Sequence, residues 1–312
     1  MQESDMNDVE LLRGIDKLRK ERSAVILAHN YQIPQIQDLA DFVGDSLDMA
    51  RYGLSVEVPV VVVAGVRFMA ETVKILCPEK TVLAPSMAAG CPLADSLSAK
   101  DIRKLKEEYE GATVVSYVNS SAEVKAESDI CCTSSNALNV VRSLENKDVL
   151  FVPDKNLGRF VQIHAPEKNV ITWTGSCPVH DGLTFEEVAQ AKNDHPDALV
   201  LAHPECNEKV LSLADFVGST SQIIGEAQRS DAKEFIIATE LGVLHALEAV
   251  STRYGETKHF YPASTRLVCA DMKEITLEDI YNSLKNMEYE IFLPEAIMEA
   301  ASRSLWRMLS LH

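Results

Sequence analysis

Three of the seven cysteines in this chain recur at nearly regular intervals. Cys91, Cys177 and Cys269 lie 86 and 92 residues apart, and a helix-capping sequence begins seven residues after each of them. Structural zinc usually takes four ligands with close Cys-x-x-Cys pairs, and the sequence contains no such pair. An iron–sulfur cluster held by three cysteines leaves one iron open as a Lewis acid for a substrate hydroxyl or carboxylate. The three cysteines therefore predict a cluster suited to dehydration chemistry.

The alternative for these three cysteines is that they are remnants of a repeat and hold no metal. The other four cysteines share no threefold register, and we interpret them as small buried residues: Cys77, Cys131, Cys132 and Cys206. An odd number of cysteines leaves at least one unpaired in any disulfide scheme. Metal binding or reduced thiols in the core are therefore the leading interpretations.

A second set of polar residues recurs because one segment occurs three times. Residues 27–46 and 201–220 are identical at nine of twenty positions, and residues 115–134 form a weaker copy. The register aligns four sets of positions: His29, Tyr117 and His203; Tyr31, Asn119 and Glu205; Asp41, Asp129 and Asp215; Ser46, Ser134 and Thr220.

The first two sets directly follow apolar runs that read as buried strands. Ligands of parallel α/β sheets bind beyond the carboxyl ends of the strands, and side chains two residues apart on an extended chain share a face. We therefore expect these six side chains to line one opening, the mouth of a binding site at the carboxyl ends of the strands. Glu205 aligns with the uncharged Tyr31 and Asn119, so we expect it to be the proton-transferring base. The alternative for a single histidine at a strand end is a polar residue whose hydrogen bonds are satisfied within the fold and which has no role in catalysis.

The hydroxyl set, Ser46, Ser134 and Thr220, follows predicted helix breaks and precedes new helices. Free backbone N–H groups and the helix dipole favour an anion at such positions. Three of them could hold carboxylates or a phosphate, despite the acidic surface. The alternative is that these hydroxyls are ordinary N-caps.

Hydrophobic patterning divides the chain into three α/β repeats of strand, helix, strand, helix, strand, cysteine loop and helix. We expect an N-terminal helix over 1–22, repeats over 23–110, 111–196 and 197–285, and a helical tail over 286–312. Strands are predicted at 24–28, 60–64, 81–84, 113–117, 148–152, 170–173, from 198, and at 235–239. Helices are predicted through residues 36–43, ended by Gly44, over 122–127, and from Ser134. No Gly/Ser-rich or Pro-rich linker interrupts the chain, so we expect one compact body.

Composition excludes several classes of function. A net charge of −17 argues against a nucleic-acid or anionic-membrane surface, because those partners require clustered Lys and Arg. The longest apolar run, residues 58–66, is about half of a membrane span. The charged N-terminal segment lacks the apolar core of a signal peptide. We expect a soluble, cytoplasmic protein.

The sequence closely resembles the quinolinate synthase family from about residue 22 to residue 290. The motifs that carry the resemblance are AHNYQ, GDS, VRFMAETVKIL, AGCPLADS, SYVNSSAEVKAESDICCTSSNA, FVPDKNLGRF, WTGSCPVH, HPEC, GSTSQI, FIIATELG and CADMK. The resemblance implies three αβα-sandwich (Rossmann-like) domains related by a pseudo-threefold axis around a central [4Fe–4S] cluster. It also implies condensation of iminoaspartate with dihydroxyacetone phosphate to quinolinate in NAD biosynthesis, with release of phosphate and water.

The same resemblance assigns roles to individual residues. Cys91, Cys177 and Cys269 would hold the cluster. Tyr31 and Glu205 would be the proton-handling pair, and we expect Glu205 to shuttle protons with help from Tyr31 or Tyr117. Substrates would bind to His29, Ser46, Tyr117, Asn119, Ser134, His203, Glu205, Ser219 and Thr220. An aspartate-oxidising enzyme would supply the imine by transient contact.

One departure from the family concerns the third cysteine. Some members carry Cys-x-x-Cys there, whereas this chain reads Cys269-Ala-Asp-Met272. A redox switch through a disulfide between two such cysteines is therefore unavailable in this chain. His180, three residues after Cys177, has an open role, either at the edge of the pocket or in a plain loop. The rival functions are another [4Fe–4S] hydro-lyase, of the aconitase type, and an iron–sulfur carrier, which would expose its cysteines.

Overall fold

The computed structural model describes residues 6–253 and 257–311. Its twelve described strands are β1 Ala24–His29, β2 Phe42–Gly44, β3 Val60–Ala64, β4 Thr81–Leu83, β5 Thr113–Tyr117, β6 Ile130–Cys132, β7 Asp148–Val152, β8 Asn169–Thr172, β9 Leu199–Ala202, β10 Phe216–Val217, β11 Glu234–Ala238 and β12 His259–Pro262. They form three parallel four-stranded sheets with orders β2-β1-β3-β4, β6-β5-β7-β8 and β10-β9-β11-β12. The same strand order thus occurs three times, once within each predicted repeat.

Helices flank the three sheets, which gives the predicted α/β fold class of three sandwich domains. The described helices are α1 Asp8–Glu21, α2 Pro34–Leu39, α3 Ser46–Ser55, α4 Arg67–Leu76, α5 Ala99–Glu108, α6 Ala122–Ala126, α7 Ala137–Ser143, α8 Lys155–His164, α9 Pro178–Asp181, α10 Phe185–Asp194, α11 Glu208–Leu211, α12 Thr220–Arg229, α13 Val243–Arg253, α14 Ala270–Lys273, α15 Leu277–Asn286 and α16 Glu295–Leu309. A short 3₁₀ helix covers Ala94–Ser96. Of the predicted terminal helices, residues 1–5 and 312 lie outside the described residues.

The chain separates into two compact units. The first unit comprises Met1–Cys91 and Ala270–Pro294, and it contains the first sheet. The second unit comprises Pro92–Cys269 and Glu295–His312, and it contains the other two sheets. In the first unit α1 packs on α15, and in the second α16 packs on α6 and β6. The repeat boundaries drawn from the sequence, and the common axis expected for the repeats, stay predictions.

Local sequence signals explain most of these elements. Val60–Ala64 is completely buried, as expected for a strand covered on both faces. All three capping sequences form capping boxes, with Ser98, Thr184 and Thr276 as the N-caps of α5, α10 and α15. No helix in the described part of the chain is long and apolar enough to cross a membrane.

The prediction of a helix through residues 36–43 was wrong in its second half. α2 ends at Leu39, and Phe42–Gly44 forms the edge strand β2 beside β1. The corresponding residues of the other repeats form the edge strands β6 and β10, which the sequence analysis also missed. Strands of two or three residues are too short to display a period of two, and they exist because a neighbouring strand pairs with them.

The aligned aspartates explain how these edge segments are held. Asp41, Asp129 and Asp215 each accept the backbone N–H of a residue near the start of the first strand in their own sheet, with Oδ2 2.8 Å from the nitrogens of Ile26, Val114 and Val200. The contact supplies a hydrogen-bond partner for a backbone N–H near the start of the strand. These carboxylates therefore have a structural role that recurs in every repeat.

Candidate functional site

Polar side chains of the second and third sheets meet at the carboxyl ends of β5 and β9. Tyr117 is the last residue of β5, and His203 directly follows β9. Asn119 Nδ2 lies 3.4 Å from Glu205 Oε1, and His203 Nδ1 lies 3.5 Å from Glu205 Oε2. These four residues, all of which belong to the second unit, therefore lie together, and their role in binding or catalysis stays a prediction.

A chain of hydrogen bonds converges on the carboxylate of Glu205. The Tyr117 hydroxyl forms side-chain hydrogen bonds with Glu205 and with Ser134. On the other side, His180 Nδ1 lies 2.8 Å from Glu205 Oε2, and His180 Nε2 lies 2.8 Å from Thr239 Oγ1. The hydroxyls of Ser134 and Thr239 are therefore linked to the carboxylate of Glu205 through Tyr117 and His180. Glu205 is 3% exposed.

The surroundings set the charge of these groups. Burial by itself would raise the pKa of Glu205, but His203, His180 and Tyr117 outweigh it and lower the pKa to about 2. Burial lowers the pKa of His203 to about 3, against the opposing effect of Glu205. Burial and the Glu205 charge raise the pKa of Tyr117 well above its usual value. Near neutral pH the site therefore holds a carboxylate, a neutral imidazole and a neutral phenol.

The two aligned histidines are held by the same backbone contact. The N–H of Tyr31 points at His29 Nδ1, 3.1 Å away, and the N–H of Glu205 points at His203 Nδ1, 3.3 Å away. An Nδ1 that accepts a hydrogen bond requires the proton to be on Nε2. In both imidazoles this contact favours the tautomer that presents an N–H donor at Nε2.

In the first unit, His29 and Tyr31 are buried, and their rings meet edge to face at 4.5 Å between centroids. Two neighbours have buried polar atoms without a hydrogen-bond partner in the described part of the chain: Asn30 Nδ2 and Gln32 Oε1. Asn119 Oδ1 in the second unit is a third such atom. Buried polar atoms are normally paired, so these atoms suit polar groups of a ligand.

The hydroxyl positions occupy different places at their helices. Ser46 is the first residue of α3, whose N-cap is Asp45, and Thr220 is the first residue of α12, whose N-cap is Ser219. The prediction of a helix from Ser134 was wrong, since α7 begins at Ala137 and Ser134 lies in the preceding turn. Its hydroxyl instead reaches Tyr117. Anion binding at these hydroxyls stays a prediction.

The three periodic cysteines differ from the other four in exposure. Cys91, Cys177 and Cys269 are half-buried, and the remaining four are buried as predicted. Burial raises the pKa of the thiols of Cys77, Cys131, Cys132 and Cys206, which disfavours the thiolate that binds metal. As donors, the half-buried set therefore fits the predicted cluster. Convergence of its three sulfurs stays a prediction.

Two buried acidic side chains hold the backbone of two of these cysteines. Asp154 Oδ2 accepts the N–H of Cys177 at 3.2 Å, and Glu240 Oε1 accepts the N–H of Cys269 at 3.1 Å. Asp154 and Glu240 are fully buried and stand two residues past the ends of β7 and β11. In the first repeat the position two residues past β3 is Val66, so this contact distinguishes the second and third repeats.

Sequence reasoning missed several residues of this site. They are Asp154, Asn156, Thr239 and Glu240, while the role of His180 was left open. Asn156 belongs to the site because its Nδ2 donates a hydrogen bond to the backbone carbonyl of Glu205, at 2.9 Å. Asp154, Thr239 and Glu240 lie within two residues of the end of β7 or β11, so the rule that selected His29 and His203 would have found them, whereas Asn156 lies in α8. Three side chains of the site could also hold a metal ion, because their ligand atoms lie within 4.8 Å of one another: Cys177, His180 and Glu205.

The fold and the site together define a parallel α/β protein of three repeats, with a buried carboxylate, phenol and imidazole at the strand ends. Comparison with known families then identifies it. The family model described as quinolinate synthetase A protein (NadA) matches residues 13–310. The chain belongs to this family.

Individual relatives agree with that assignment. The quinolinate synthase of Clostridium kluyveri is 50% identical over 306 residues, which cover 98% of this chain and 100% of that protein. Quinolinate synthase 2 of Methanosarcina acetivorans is 51% identical over 305 residues, covering 98% of this chain and 97% of that protein. The quinolinate synthase of Alkaliphilus metalliredigens is 49% identical over 306 residues.

Proposed function

We propose that this protein is an enzyme that condenses iminoaspartate with dihydroxyacetone phosphate to quinolinate, with release of phosphate and water. The observation that carries the proposal is the buried carboxylate of Glu205, in contact with Asn119, His180 and His203. Enolisation of a triose phosphate and imine formation both require proton transfer at carbon or nitrogen, and a positioned carboxylate can perform it. Family membership supplies the choice of substrates.

Glu205 is the proton acceptor in this proposal, and Tyr117 is its partner. The Tyr117 hydroxyl is hydrogen-bonded to both Glu205 and Ser134, so it can return a proton to the substrate as its own is replaced. Tyr31 has the corresponding role at the first repeat. The Nε2–H groups of His29 and His203, with the amide of Asn119, orient substrate carboxylates or phosphate.

Cys91, Cys177 and Cys269 would hold a [4Fe–4S] cluster, whose open iron supplies a Lewis acid for the loss of hydroxyl groups. The residues of the chain perform the remaining tasks. Ser46, Ser219 and Thr220 bind anionic groups through hydroxyls next to helix N-termini. An aspartate-oxidising enzyme supplies the imine in the cytoplasm, through transient contact.

The test uses anaerobically purified protein with a reconstituted cluster. Iminoaspartate and dihydroxyacetone phosphate are added, and quinolinate is measured by chromatography. We expect turnover by the unmodified protein and a loss of at least about 100-fold in Glu205→Gln, since general base catalysis contributes 10²–10⁴-fold. Ultraviolet–visible and EPR spectra establish that the variant keeps its cluster.

Glu208→Gln is the matched control, because Glu208 is an exposed carboxylate three residues away that pairs with Arg159. It should keep full activity. An active Glu205→Gln enzyme would remove Glu205 from the mechanism. A protein that binds a cluster but forms no quinolinate would favour the hydro-lyase or carrier function.

A further inference from the structure

We propose that Cys177, His180 and Glu205 form a binding site for a single divalent metal ion in protein that lacks the cluster. Zinc is the physiological ion that such a site fits. The three side chains offer a sulfur, a nitrogen and an oxygen, and these atoms lie within 4.8 Å of one another. Sulfur, imidazole and carboxylate ligands with one open position are the donors that zinc takes in sites with three protein ligands.

The imidazole of His180 places one nitrogen between the other two donors. Its Nδ1 lies 3.2 Å from Cys177 Sγ and 2.8 Å from Glu205 Oε2. Zinc binds its ligands at about 2.0 to 2.3 Å, which separates tetrahedral donor atoms by roughly 3.4 to 3.6 Å. Movements of less than about 1 Å therefore suffice to admit an ion between these three atoms.

Thr239 supplies the orienting contact that metal-binding histidines usually have. Its Oγ1 lies 2.8 Å from His180 Nε2, on the side of the ring opposite the ligand group. If Nε2 carries the proton and donates it to Thr239, Nδ1 presents a lone pair to the ion. Binding then displaces the thiol proton of Cys177 and any proton on Nδ1.

Burial makes the site selective for an ion that can lose its water. His180 and Glu205 are 1% and 3% exposed, and Thr239 is fully buried, whereas Cys177 is half-buried and forms the accessible side. A divalent ion that loses its water in this enclosed space gains three ligands at once.

Occupation of this site would compete with cluster assembly, and this consequence rests on the proposed function. Cys177 cannot serve both occupants, and a bound ion would also take Glu205 away from proton transfer. Thiophilic metals would therefore hold the protein in a cluster-free, inactive form. The binding of the ion itself depends on neither the cluster nor the reaction.

Cobalt titration of cluster-free, reduced protein tests the site, because Co²⁺ replaces zinc and absorbs visible light. We expect one Co²⁺ per chain, sulfur-to-cobalt charge-transfer absorption, the intense visible bands of a four-coordinate ion, and displacement of the cobalt by Zn²⁺. His180→Gln and Cys177→Ser should abolish these bands. Thr239→Val should weaken binding by about 10- to 100-fold, as expected for an orienting contact.

Cys91→Ser and Cys269→Ser are the discriminating controls, since both cysteines belong to the predicted cluster but not to this site. Both variants should bind cobalt like the unmodified protein. Circular dichroism spectra check that each variant is folded. Absence of tight binding, unchanged binding in both His180→Gln and Cys177→Ser, or its loss in Cys91→Ser would overturn the proposal.

Reconstitution with iron and sulfide in the presence of Zn²⁺ tests the competition. Zinc should suppress the cluster absorption of the unmodified protein, and His180→Gln should be less sensitive. If no cluster forms without zinc while cobalt still binds at the expected residues, the proposed function fails and the metal site stands. If a cluster forms and cobalt does not bind, only the metal site fails.

Discussion

The side-chain oxygen Oδ2 of Asp154 accepts a hydrogen bond from the backbone N–H of Cys177, at 3.2 Å from the nitrogen. Its other oxygen accepts the N–H of Leu157 at 2.7 Å and caps α8. One buried side chain therefore joins the start of a helix to the loop that carries a predicted cluster ligand. The contact makes the position of Cys177 depend on the end of β7.

Asp154→Asn tests this dependence. The amide replaces one acceptor oxygen with an NH₂ group, which must face either the Cys177 or the Leu157 N–H. We expect a loss of about 1 to 3 kcal/mol in the free energy of unfolding and fewer iron atoms retained per chain. Urea unfolding and iron analysis measure the two effects. Asp148→Asn, at the exposed start of the same strand, should change stability by less than about 0.5 kcal/mol.

Gly175→Ala should disturb the same loop from the other side. A Cβ atom at Gly175 would lie 2.6 Å from the carbonyl oxygen of Pro153, which is backbone and cannot turn away. We expect a cost of about 1 to 3 kcal/mol, visible in urea unfolding. Gly225→Ala is the matched control, because the nearest atom there is the flexible end of Arg229 at 3.1 Å. Gly225 lies inside α12, so alanine should leave stability unchanged or raise it by up to about 1 kcal/mol.

The pH dependence of stability should include a contribution from Glu187. The hydrogen bonds from Arg266 outweigh the effect of burial and, with those from Ser264 and Thr184, lower the pKa of Glu187 to about 2. A depressed carboxyl pKa stabilises the folded state above the unfolded value of about 4.3, and this contribution is lost as the pH falls toward 2. Unfolding curves at pH 7 and pH 3.5 should therefore differ less in Glu187→Gln than in the unmodified protein.

Glu186→Gln controls for the removal of one negative charge from the same helical turn, since Glu186 is exposed. It should keep the full pH dependence. An identical response in the two variants would show that the Glu187 contacts contribute nothing specific.

Buried lysines should stabilise each repeat through the ends of its helices. Lys258 Nζ lies 2.8 Å from the carbonyl oxygen of Ala227 and 2.7 Å from that of Ser230, at the end of α12. Lys80 and Lys168 make the corresponding contacts after α3 and α7. Lys258→Met leaves these carbonyls without their donor, and we expect a loss of about 1 to 3 kcal/mol in urea unfolding. Lys209→Met, at an exposed position, should be nearly neutral; equal losses in both variants would contradict the expectation.

Several features of this protein were determined by its sequence alone. Long buried strands such as Val60–Ala64 are visible because every residue is apolar and β-branched or small. The capping boxes that begin with Ser98, Thr184 and Thr276 formed as predicted, because a capping box needs only four consecutive residues. Repetition placed Tyr117, His203 and Glu205 at strand ends, since equal registers in repeated units give equal positions.

Only the tertiary structure decided which side chains meet. The edge strands β2, β6 and β10 depend on pairing with a neighbour, so no local pattern encodes them. The contacts of Glu205 with His180 and Tyr117 join residues from different repeats, and Thr239 reaches His180 across 59 positions of sequence. Sequence periodicity reports the environment within one element, whereas the charge of a buried carboxylate is set by groups that folding brings beside it. The positions of the chemical groups were therefore predictable, and their ionisation was not.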